Sequence, residues 1–100
     1  LYISGQIPVD PATGNLVEGI HQETHQVMKN LAAILRKAEM GFSNAVKTTI
    51  FLKNMDDFSV VNEIYASYFD DGQYPARETV QVSCLPKNVD VEISMIAFKD

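Results

Sequence analysis

Arg77 stands in Tyr74-Pro75-Ala76-Arg77-Glu78-Thr79-Val80, between a proline-bearing loop and a β-branched run. A guanidinium is a planar fork of donors, and it grips a carboxylate through two parallel hydrogen bonds. Held by a stiffened backbone in an otherwise acidic chain, such a fork suits a small organic acid. If Glu78 or another acid fills it, the arginine is only structural. Glu92 is the second polar residue out of place, flanked by Val91 and Ile93. Strand interiors disfavour carboxylates, and a partly buried one needs a partner. Pairing of the runs Glu78 to Leu85 and Val89 to Phe98 through the Pro86 turn would bring Arg77 and Glu92 into one pocket. That pocket is either an ion pair or a site, and ion pairs are the commoner of the two.

The remaining polar candidates are weaker. Gly5 interrupts the strand-like Ser4-Gly5-Gln6-Ile7-Pro8, which predicts a bulge or a close backbone approach with an N–H free for an anion. Asn62 lies beside the apolar stripe of a predicted helix, either solvated or projecting toward an interface. His21 and His25 are four apart, but Glu23 between them is not at zinc-protease spacing and no third ligand stands nearby. Cys84 alternates with valines and reads as core rather than as a nucleophile. Ser4 and Ser83 lack a nucleophile elbow, and no glycine-rich loop could cradle a phosphate.

These residues need elements to position them. Leu1 to Ile7 reads as a strand and Pro8 to Gly14 as a turn. Over Ile20 to Met40, apolar residues recur at three- and four-residue steps, which predicts a helix ending at Gly41. Ala45 to Lys53 is β-branched and apolar, hence a central strand. Asp56 is placed to cap a second helix, Asp57 to Phe69, with Phe58, Val61, Ile64, Tyr65 and Tyr68 on its stripe. The two alternating runs that follow predict a hairpin. The order is β-α-β-α-β-β, with both helices on one face of a mixed sheet. The other face keeps Ile96 and Phe98, which a second subunit would bury. The chain opens inside an apolar alternation without Met, so we expect a preceding strand.

One hundred residues fit one domain, residues 1–100. A hydrophobic share of 46% with mean hydropathy near zero predicts a soluble globule. Thirteen acids against eight bases argue against a phosphate-backbone binder. No apolar run is long enough to span a bilayer. A single cysteine fits a reducing, cytoplasmic or mitochondrial, compartment.

Taken in order, Ser4-Gly5-Gln6-Ile7-Pro8, Val46-Lys47-Thr48-Thr49-Ile50-Phe51-Leu52, Met55-Asp56-Asp57-Phe58 with Val61-Asn62 and Tyr65, Pro75-Ala76-Arg77, Leu85-Pro86-Lys87 and Val91-Glu92-Ile93 resemble the RidA family of reactive imine deaminases. The likeness covers nearly the whole chain. It implies an α+β domain with a chorismate-mutase-like mixed sheet, and a homotrimer whose sheets form a central barrel with ligand clefts between subunits. It implies hydrolysis of 2-imino acids, tautomers of enamines such as 2-aminoacrylate, to 2-keto acids and ammonia, without a cofactor. On this resemblance Arg77 grips the substrate carboxylate and the Gly5 N–H assists. Glu92 positions water, and the Thr79 backbone carbonyl helps orient it. Asn62 and Phe58 border the cleft. The sequence departs from the family where Cys84 replaces a frequent arginine, and in the short loop Asp70 to Gln73. The family's ligand-facing tyrosine would precede residue 1. The rival readings are a non-catalytic keto-acid-binding regulatory module and, behind it, a ribonuclease or translation inhibitor.

Overall fold

The computed structural model describes residues 1–100. Four strands and two helices follow the expected order: β1 (Tyr2–Gln6), α1 (Ile20–Lys37), β2 (Ala45–Leu52), α2 (Phe58–Ala66), β3 (Ala76–Gln81) and β4 (Val91–Ala97). The sheet runs β1-β4-β2-β3, antiparallel except for the parallel β2–β3 pair. Both helices lie on one face.

The predicted hairpin does not form. After β3 the chain crosses β2, and β4 enters between β1 and β2. Burial decides this. In β4 every second residue (Val91, Ile93, Met95, Ala97) is buried to 1% exposure or less beneath the helices, as suits a central strand flanked by β1 and β2. β3 carries Glu78, Val80 and Gln81 exposed and suits an edge. Lys87 and Asn88 take φ of 55° and 57°, and this consecutive left-handed pair redirects the chain between buried Leu85 and Val89.

Helix α1 buries Thr24, Val27, Met28, Leu31 and Leu35, the predicted stripe, against the inner row of β4. It ends earlier than expected, because Glu39 takes φ 60° ahead of Gly41. Helix α2 is shorter than predicted. A 3-10 turn, Met55–Asp57, precedes it, and Asn54 rather than Asp56 caps that turn by accepting from the Asp56 N–H at 2.9 Å. Cys84 is exposed, not core, because the ladder stops at Gln81 and the alternation beyond it has no sheet to act on.

One carboxylate is buried between elements. Glu23 of α1 is 4% exposed, and its Oε1 accepts the Asp90 N–H at 3.0 Å, tying the helix to the entry of β4. Burial first, then the Asp90 carboxyl beside it, raises its pKa from 4.5 to about 7. A raised carboxyl pKa means the folded state holds the proton more tightly. Glu23 therefore costs no stability below its unfolded pKa and destabilises progressively as pH rises toward its folded one. Glu23→Gln keeps an acceptor for the Asp90 N–H but cannot ionise. Urea unfolding at fixed protein concentration should find the variant about 2 kcal/mol more stable than the parent at pH 8, with the gap closing near pH 4.5. A gap independent of pH would contradict this.

Candidate active site

Strand register puts Arg77 beside Thr48 and Thr79 beside Ile50. Thr48 and Ile50 are buried on the helix side, so Arg77 and Thr79 face that side too. Helix α2 meets Arg77 with Phe58, Asn62 and Tyr65, whose spacing of four and three sets them on one stripe. Arg77 Nη1 donates to Asn62 Oδ1, the one hydrogen bond its side chain makes. Its Cζ lies 5.5 Å from the Phe58 ring centroid and 5.3 Å from that of Tyr65. The guanidinium is thus held by a neutral amide and two aromatic rings.

No acid fills the fork. Glu78 points to the opposite face and pairs with Lys47 at 2.6 Å, which lowers its pKa by hydrogen bonding and by charge. The structural alternative raised by the sequence, an arginine neutralised by Glu78 or Glu92, is not what this chain builds. Around Arg77 lies a cavity of about 490 Å³ lined by Asn62, Tyr65, Ala66, Tyr74, Pro75 and Arg77. One cation, one amide and an apolar wall of this kind suit a small carboxylate with an organic tail.

Glu92 is elsewhere. It pairs across from Phe51 on the sheet's outer face, with Ser94 and Ile96 in the same row. Arg77 and Glu92 therefore do not share a pocket within one chain, because β4 is not β3's neighbour and the two side chains leave the sheet on opposite sides. Gly5 does meet Glu92. The β1–β4 register slips between Ile3 and Gln6, the expected bulge. A Cβ built on Gly5 would sit 2.6 Å from Glu92 Cδ and Oε2. The carboxyl group rests against the glycine Cα where any side chain would stand.

Of the sequence candidates, Arg77, Asn62 and Phe58 come together on one face, and Gly5 and Glu92 on the other. Thr79 lies on the Arg77 side with Oγ1 buried and unpartnered, outside the cavity lining. His25 is engaged elsewhere, its Nδ1 2.8 Å from Tyr68 Oη. Sequence reading assigned no site role to Tyr65, Thr48 or Tyr74. Tyr65 and Thr48 share a hydrogen bond of 2.7 Å beneath Arg77. The available signal was the seven-residue step from Phe58 to Tyr65.

The family described as Endoribonuclease L-PSP matches residues 1–99. A 2-iminobutanoate/2-iminopropanoate deaminase of mouse is 50% identical over 100 residues, covering 99% of this chain and 73% of the mouse protein. The crystal structure of RidA from an Antarctic Psychrobacter superposes with TM-score 0.94 at 40% identity, over 98% of this chain and 79% of that one. The chain belongs to the L-PSP/RidA family. Another similar structure, Escherichia coli TdcF with bound serine, has TM-score 0.93 at 38% identity and spans 99% of this chain and 80% of the other. The L-PSP/RidA likeness thus covers all six elements, and the mixed sheet with two helices is that of its relatives.

Proposed function

We propose that this protein hydrolyses reactive 2-imino acids, such as 2-iminopropionate, to 2-keto acids and ammonia. The observation that carries the reading is the Arg77 fork, open toward the cavity and paired with no carboxylate. Deaminase-named relatives such as the mouse protein support it. Arg77 takes the substrate carboxylate, with Asn62 and Phe58 bordering it and the Gly5 N–H assisting. The iminium carbon is already electrophilic, so water attacks it without a strong nucleophile. Glu92 and the Thr79 carbonyl hold that water. One water proton passes to the departing nitrogen, the carbinolamine collapses, and ammonia leaves as the C=O forms. Orientation alone lowers such barriers by several kcal/mol.

Because Arg77 and Glu92 leave opposite faces, one ligand can touch both only if they come from different protomers. The outer face supports this, with Tyr2 83%, Val46 50% and Phe98 65% exposed. A homotrimer with shared clefts, in a reducing compartment such as the cytoplasm, follows on this reading. The test is keto-acid release from freshly generated 2-iminopropionate. Acceleration over the uncatalysed rate is the expected result. Binding of 2-oxobutanoate without acceleration would instead favour a metabolite-sensing module. RNA cleavage is disfavoured by the formal charge of −5.

A further inference from the structure

Two side-chain contacts and one backbone pairing close a ring beside the guanidinium. Thr48 and Arg77 are register partners across the β2–β3 pair. The Thr48 hydroxyl bonds the Tyr65 hydroxyl at 2.7 Å, in a fully buried position. The Tyr65 ring stands 5.3 Å from Arg77 Cζ. Tyr65 is therefore the link, bonded to Thr48 at its hydroxyl and set against Arg77 through its ring. Tyr65 is itself only 2% exposed, and Phe69 braces its far side with centroids 4.9 Å apart.

The geometry has a direction. Asn62 accepts from one amine of the fork, and Phe58 and Tyr65 limit where the fork can lie. A long arginine on an edge strand otherwise samples many rotamers, and ordering it on ligand binding costs affinity. A ring held by a buried hydrogen bond settles that orientation before the ligand arrives. Burial pushes the Tyr65 phenol up from its ordinary range, so the hydroxyl stays protonated and able to bond Thr48.

We infer that Tyr65, locked by Thr48, is a positioning residue that pre-orients Arg77 for a carboxylate ligand. Its role runs through Arg77 and involves no contact with the reacting carbon. This inference rests on the proposed ligand class, and its test separates the two.

The experiment is a mutant cycle on the assembled protein, using Tyr65→Phe, Thr48→Val, Thr48→Ser and Arg77→Ala. It reads calorimetric binding of 2-oxobutanoate and steady-state hydrolysis of 2-iminopropionate. Tyr65→Phe and Thr48→Val should each weaken 2-oxobutanoate binding by about five- to tenfold, with the double variant no worse than either. Thr48→Ser, which keeps the hydroxyl, should restore binding. In the Arg77→Ala background neither change should alter binding or kcat/KM further. Independent losses in that background, or full binding by Thr48→Val, would overturn the inference. Melting temperature and sedimentation identify a variant that fails to fold, and the Thr48 pair then carries the test alone. A parent that binds 2-oxobutanoate without hydrolysing the imine defeats the deaminase reading and leaves the binding cycle to decide on Tyr65. A parent that does neither overturns both.

Discussion

Arg77→Lys is expected to lower kcat/KM for 2-iminopropionate by about a hundredfold, and Arg77→Ala by at least as much. Lysine keeps the charge. What it loses is the geometry: two parallel donors, the bond to Asn62 Oδ1 and the planar contact with Phe58 and Tyr65. A charge-assisted hydrogen bond contributes about 1.5–3 kcal/mol, and removing one arm of a bidentate grip together with its orientation forfeits about that much. The fold should tolerate the change, because the site is a partly open cavity at the sheet edge rather than the core. Steady-state kinetics beside thermal melting would separate the two effects. A lysine variant retaining a third of the parent activity would mean that charge alone suffices and the fork is irrelevant.

Gly5→Ala should be nearly as damaging to turnover, for a different reason. The added methyl would meet Glu92 Cδ and Oε2 at 2.6 Å and Cγ at 2.9 Å. These atoms belong to the mobile end of a side chain on the outer face, so Glu92 can swing aside at modest cost to stability. The carboxylate would then no longer stand where the proposed water needs it. We expect kcat to fall at least tenfold while the melting temperature moves by only a few degrees, since a displacement of about 1 Å is enough for such losses. Binding of 2-oxobutanoate through Arg77 should change less than kcat. A variant with full turnover would show that the placement of Glu92 against Gly5 has no bearing on the chemistry.

Local patterns were legible in the sequence and long-range pairing was not. The stripe of α1 and the alternation of β4 each follow from burial within one element, and both stand where they were expected. The hairpin failed because two adjacent alternating runs say nothing about which strand lies between them. The clue was polarity: β3 carries exposed Glu78 and Gln81 as an edge does, whereas β4 buries a whole row. Cys84 was misplaced for a related reason, since alternation has meaning only while a ladder continues. At the candidate site, Arg77, Asn62 and Phe58 were singled out, and they do converge. Tyr65 and Thr48 escaped notice because each reads as ordinary core. Only the tertiary contact of α2 with the β2–β3 edge brings their hydroxyls together under the arginine.

The sheet separates Arg77 from Glu92 within every chain. On the proposed reading, a newly made protomer is chemically inert, and activity appears only as chains associate. On that reading, dilution below the dissociation constant of the assembly would switch it off without unfolding anything. On the same reading the two positions would also behave genetically as separate units. A chain defective at Arg77 and a chain defective at Glu92 would each lack a different half, and a mixed ring of the two would regenerate an intact cleft wherever the sound halves adjoin. In a statistical trimer of equal parts that is about a quarter of all clefts. Damage to either residue would therefore be partly masked in a cell that makes both forms.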